Sequence, residues 1–284
     1  MYTVSFSSQH VWNLTAAPEA HWWLDHFASV MSLPRCVDSA GPRIVVSSSA
    51  DTARPVKSNG RPGFGGAYGR FVWQPETGDI FVDIPSDIRK EPGARSSSFK
   101  SLLLAMAALM PSDGGFLLHA ATLVKDGQAV LVAASSGGGK STTARRVPSP
   151  WTAPGDECCF LAPDGPNGYR VHVLPTWSLV AAGAGVKVSW DTQRSYPVRA
   201  VCILKQDDHD SLSPLGITAG TVCLSDAARQ AVWFPVTMMD ESLRAWFLHR
   251  SFEAACAAAA NIPVFLLRSS LTGCFWEELE TALW

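Results

Sequence analysis

Three groups of residues in this chain have types and spacings suited to chemistry on phosphate. The densest is Ala134-Ser135-Ser136-Gly137-Gly138-Gly139-Lys140-Ser141-Thr142. Successive glycines free the main chain to turn its N–H groups toward an anion, and the lysine adds a mobile positive charge within reach of the β- and γ-phosphates of a nucleotide. The Ser141 hydroxyl is a candidate Mg²⁺ ligand, while Ser136, Gly137, Gly138, Gly139 and Thr142 join Lys140 as candidate phosphate contacts. The second group is the acidic pair Asp156-Glu157, where a metal-binding or proton-accepting carboxylate belongs. The third is His119, upstream of the glycines. A cradle, a metal and a carboxylate able to accept the proton of an attacking hydroxyl are the parts of phosphoryl transfer, so ATP and Mg²⁺ are the expected cofactors. Each group also has a plainer reading: a glycine-rich hairpin with a chance Lys-Ser, a turn carboxylate, and a half-buried histidine with its hydrogen bonds satisfied.

These residues need elements to position them. Residues 129–134 form a continuous apolar run of strand length, and residues 141–146 start helical, which gives the order strand, glycine turn, helix. His119 lies in another apolar run, 116–124, and Asp126-Gly127 is the turn that joins antiparallel neighbours, so the strand holding His119 is expected to pair with the strand before the glycines. A proline-rich connector, 148–154, delivers the chain to Asp156-Glu157 and the apolar stretch that follows. Further strands are expected at 169–174, 198–204 and 264–267, with a fixed corner at 175–178. Asp240 should cap a helix ending near residue 260, and 275–284 should form a closing helix.

The N-terminal residues 1–95 read as β-rich, with a helix at 21–32, a loop at 60–69 and a hairpin over 70–84. Trp22 and Trp23 could line a ligand box, but packing against this sheet is the simpler account. The polar stretch 85–98 divides the chain into 1–95, a part suited to peptide recognition, and a domain of residues 96–284. The helix expected at 99–110 is apolar almost all round, which predicts burial on the main sheet.

Composition limits the remaining choices. With 47% hydrophobic and 17% charged residues among 284, the chain reads as a globular protein able to bury a large core. A formal net charge of −2 argues against a broad nucleic-acid footprint. The seven cysteines lack paired metal-ligand spacing, which fits a reducing cytoplasm, and no apolar run approaches the length that spans a membrane.

The order Leu118-His119, strand, glycine stretch, then Gly155-Asp156-Glu157 resembles HPr kinase/phosphorylase, in which a histidine precedes the phosphate-loop strand and an Asp-Asp pair follows it. That likeness covers residues 115–162. Wider segments, among them 119–122, 140–146, 172–178, 189–191 and 270–278, resemble the HPr-kinase-related protein of the SynChlorMet cassette over residues 100–284. The resemblance implies an α/β fold with an HPr-kinase-like P-loop core, a mixed β-sheet and flanking helices, beside the β-rich N-terminal part. It implies that Asp156 acts as base, Glu157 as a metal-side carboxylate with Ser141, and His119 beside the transferred group. It also implies partners: a ribosomally made precursor peptide and radical-SAM maturation proteins. Two positions depart from the pattern, Glu157 for the second Asp and Ala134 for the first loop glycine, and nothing matches the C-terminal signature of HPr kinase. The expected activity is therefore ATP- and Mg²⁺-dependent phosphoryl transfer to a peptide hydroxyl, most simply serine. A small-molecule kinase of the same fold and a nucleotide-gated peptide-binding protein stand as alternatives.

Overall fold

The computed structural model describes residues 1–6, 11–36, 41–49, 62–110, 114–166, 168–182 and 189–284. In chain order its elements are β1 (Tyr2–Ser5), β2 (Val11–Ala16), α1 (His21–Val30), β3 (Arg43–Ser49), β4 (Gly63–Gly66), β5 (Gly69–Gln74), β6 (Asp79–Pro85), α2 (Pro92–Leu109), β7 (Phe116–Leu118), β8 (Ala120–Lys125) and β9 (Gln128–Ala133). There follow α3 (Lys140–Arg146), β10 (Thr152–Gly155), β11 (Cys159–Asp164), β12 (Gly168–Val173), α4 (Trp177–Ala181), β13 (Ser195–Gln206), β14 (Ser211–Pro214), α5 (Ile217–Val236), α6 (Glu241–Asn261), β15 (Val264–Ser269) and α7 (Phe275–Leu283). The result is mixed α/β. Two compact units arise, one from Met1–Ser112, Pro175–Gln193 and Val232–His249, the other from Asp113–Leu174, Arg194–Ala231 and Arg250–Trp284.

The first unit holds a sheet of order β1-β2-β3-β6-β5-β4. Alternation drives it: Phe71 and Trp73 on β5, and Ile80, Val82 and Ile84 on β6, are buried, while Arg70, Val72, Gln74, Asp79, Phe81 and Asp83 between and beside them are not. An aromatic cluster seals the core, with the Trp23 ring stacked on Phe27 at 5.6 Å and edge-on to Phe99 at 4.9 Å. Trp23 is thus a core residue, its indole N–H satisfied by the Ser98 hydroxyl at 3.2 Å. Two local expectations change here. Residues 63–66 of the expected loop are a strand, because Phe64 stacks on Phe71 at 5.2 Å and β4 pairs with β5; Gly60 and Arg61 lie outside the described residues. Helix α2 starts earlier than expected and lies against β5, β6 and α4, so its apolar surface covers the first sheet rather than the one carrying the glycines.

The second unit is built on a nine-stranded mixed sheet whose main path is β10-β8-β9-β13-β12-β11-β7, with β15 paired to β13 and β14 to β15. Strands β9, β13 and β15 run parallel, and the other pairs are antiparallel. At twelve residues β13 is long enough to change partners, pairing β12 near its start and both β9 and β15 toward its end. One core cluster gathers Ala121, Leu123, Val130, Val132, Cys202 and Leu204 from the strands with Ala144 of α3 and Phe275, Leu279 and Leu283 of α7. Asp240 caps α6 as expected, its carboxylate accepting the Leu243 N–H at 2.8 Å. The expected corner at 175–178 leads into α4, and α5 and β14 are additions. Among the described residues no helix is long and apolar enough to cross a membrane.

Candidate functional site

All the candidate residues belong to the second unit. Strand β9 ends at Ala133, the chain turns through the glycines, and α3 begins at Lys140. Gly137 and Gly139 have φ of 76° and 99°, a region closed to most side chains, so the turn requires glycine at both. A Cβ on Gly138 would come within 2.8 Å of the Ala134 methyl and 2.9 Å of the Ser135 carbonyl oxygen. Ala134 itself needs no glycine. Its φ is not positive, and its methyl joins the core cluster, which explains why alanine is accepted at the head of the loop.

Lys140 folds back into this loop. Its Nζ donates to the carbonyl of Ala134 at 2.8 Å and to that of Ser135 at 3.2 Å, and the residue is only 6% exposed. Burial lowers its pKa below the usual lysine value, while the negative charges of Asp156 and Glu157 act in the opposite direction. Ser136, Gly137 and Thr142 are exposed around the loop, and Ser141 is half-buried.

The acidic pair sits between β10 and β11 and is half-buried. Gly155 sets its position, because a Cβ there would collide with the Val173 side chain. The entrance to β10 is fixed as well: the Trp151 indole N–H donates to Glu280 at 2.7 Å, and Lys125 pairs with the same carboxylate at 2.6 Å. Lys125 and Trp151 together hold the Glu280 carboxyl below its usual pKa.

His119 corrects the expectation of one continuous strand. The chain breaks there: β7 ends at Leu118 and pairs with β11, whereas β8 starts at Ala120 and pairs with β9. The break is accommodated because the His119 N–H donates to the Ala227 carbonyl of α5 at 3.1 Å. Two registers then coincide. Leu118 faces Cys159 and Thr122 faces Gly155, so residues 119–121 span the same gap as 156–158. Since Ala120 also faces Ala133 in an antiparallel pair, the histidine lies one residue beyond the end of β9, level with Ala134, and the three groups meet at one corner of the sheet.

The far end of β13 brings a further residue to the loop that no sequence motif marks. Ile203 faces Ala133 across the parallel pair, and the three residues that follow carry β13 alongside the glycine loop. Leu204 and Gln206 point to the loop side, 3.7 and 3.4 Å from the position of a Cβ on Gly139. Asp207 turns away to Arg268 at 2.6 Å, and that guanidinium keeps its carboxyl well below the usual carboxylate range. His209 bonds Asp208 at 2.7 Å and is held protonated to a higher pH than usual by it. The signal available in sequence was an apolar strand ending in polar residues, without a means of telling its neighbour.

The pattern of a known family, described as SynChlorMet cassette protein ScmC, matches residues 93–284. The chain belongs to the SynChlorMet cassette protein ScmC family. The ScmC match takes in His119, the glycine loop, Lys140, Ser141, Asp156 and Glu157, and starts in the first turn of α2. Strands β1–β6 of this ScmC-family chain precede it. No curated protein matches the chain.

Proposed function

We propose that the chain is a kinase with an HPr-kinase-like P-loop core, transferring phosphate from ATP to a hydroxyl, most simply serine, of a ribosomally made precursor peptide. The observation that carries this reading is Lys140, a buried ammonium turned into a glycine loop and flanked by the charges of two carboxylates. The glycines fit a phosphate group: Gly137 has open space where a side chain would stand, and Gly138 is packed too tightly for one. Membership of the cassette family supports a role alongside other cassette proteins, for which radical-SAM maturation enzymes are the partners proposed.

In this reading the Gly137, Gly138 and Gly139 amides and Lys140 hold the phosphates, with Ser136 and Thr142 at the rim. Ser141 and Glu157 would hold Mg²⁺, which when bound neutralises the charge that builds on the phosphoryl oxygens. Asp156 accepts the proton of the attacking hydroxyl. His119, brought to the same corner by the broken strand, lies beside the transferred phosphoryl group.

Calorimetric titration of ATP with Mg²⁺ tests the nucleotide half of the proposal. Wild-type protein is expected to bind, and Lys140→Ala to lose affinity by at least about 100-fold, the scale of a buried charge-assisted contact, with its thermal midpoint little changed. Equal affinity in the two proteins would remove the phosphate-loop assignment.

A further inference from the structure

We infer that Gln206 is a phosphate-binding residue that contacts the terminal phosphate of a nucleotide held in the glycine loop. The inference rests on the nucleotide reading above and adds a residue that no motif marks. Its basis is register. Strands β9 and β13 run parallel with Ala133 facing Ile203, so residue 206 stands about 10 Å further along, level with the loop rather than with the strand. Alternation then sorts the side chains. Leu204 and Gln206 share the face toward the loop, where Leu204 is buried in the core beneath and Gln206 is exposed above it. The Gln206 Nε2 lies 3.4 Å from where a Cβ on Gly139 would stand, directly before Lys140 in sequence.

Chemistry favours an amide at this place. A carboxylate would oppose a triphosphate unless a metal lay between them, and Asp207, the residue just past the end of β13, is paired with Arg268. A carboxamide carries two N–H donors without charge and can bond a phosphate oxygen directly. The Gln206 amide has no hydrogen-bond partner among the described residues, so its donors are available without breaking a contact. A residue beside Gly139 and Lys140 serves the outer phosphates, those which Lys140 itself reaches, and ATP should feel it more than ADP.

The test compares ATP and ADP affinity, measured by titration calorimetry with a non-hydrolysable ATP analogue and with ADP. Gln206→Ala is expected to weaken the triphosphate by about tenfold, the loss of one hydrogen bond to a charged group, and to leave ADP within about twofold. Gln206→Glu, which replaces the donors with a negative charge, should weaken the triphosphate further still. Circular dichroism of both variants should match the wild type. An unchanged ratio of triphosphate to diphosphate affinity, whether both fall together or neither moves, overturns the inference. If wild-type protein binds nucleotide and Lys140→Ala abolishes it while Gln206→Ala changes nothing, this inference alone fails. A wild type that binds neither nucleotide overturns both this inference and the kinase reading.

Discussion

The Lys140 ammonium lies 2.8 Å from the carbonyl oxygen of Ala134, the residue at the head of the loop just after β9. Two neutral carbonyls, from Ala134 and Ser135, accept two of its three N–H bonds and leave its charge uncompensated. Asp156 and Glu157 supply opposing charge from the neighbouring corner. The loop is thus closed on a buried cation, and in the proposed function an incoming phosphate would gain a preformed partner at little reorganisation cost.

That arrangement predicts a pH dependence. Burial holds the pKa of Lys140 below its usual value, and a bound phosphate raises it by favouring the charged form. ATP affinity should therefore be constant at low alkaline pH and fall as pH climbs above the free-protein pKa of Lys140, earlier than an ordinary lysine would allow. Folding stability follows the same logic in the empty protein: the folded pKa is the lower one, so this group's contribution improves as pH rises through it. Asp156→Asn removes a charge that keeps the lysine protonated, and the fall in ATP affinity should begin at lower pH. Titrations across the alkaline range read this directly, and an onset at the same or higher pH in Asp156→Asn would contradict the coupling.

The two acids should separate kinetically. Asp156→Asn keeps shape but removes the proposed base, so the rate should fall by about 10²–10⁴-fold, with nucleotide affinity near pH 7 changed little. Glu157→Gln should instead raise the Mg²⁺ concentration for half-maximal rate, and excess Mg²⁺ should partly restore activity. Initial rates against Mg²⁺ for both variants decide the assignment. Rescue of Asp156→Asn with no rescue of Glu157→Gln would show that the roles are exchanged.

What was legible in the sequence was local. The Asp126-Gly127 turn is readable because both residues must take positive φ, observed at 49° and 73°, and that chemistry names the hairpin. The α6 cap is readable because Asp240 bonds an amide three residues away. The glycine loop announces itself for the same reason. What stayed hidden depends on partners distant in sequence. Glycine-rich β4 becomes a strand only because Phe64 finds Phe71. The break at His119 follows from β7 and β8 taking different neighbours, β11 and β9, and it brings the histidine opposite the acidic corner. Gln206 gains its position from a parallel register that no short-range pattern encodes. Helix α2 shows why burial alone does not name a partner: an all-round apolar helix fits any sheet, and here it lies against β5 and β6.

The central claim is phosphoryl transfer to a peptide hydroxyl, and the direct measurement is incubation of the protein with Mg²⁺, γ-labelled ATP and a serine-containing precursor peptide of a SynChlorMet cassette. The account predicts label on the peptide, carried as a phosphoester on a hydroxyl side chain, lost on chelation of Mg²⁺ and absent with Lys140→Ala. Label appearing on a small molecule, or nucleotide bound by the protein with none transferred to the peptide, would contradict it.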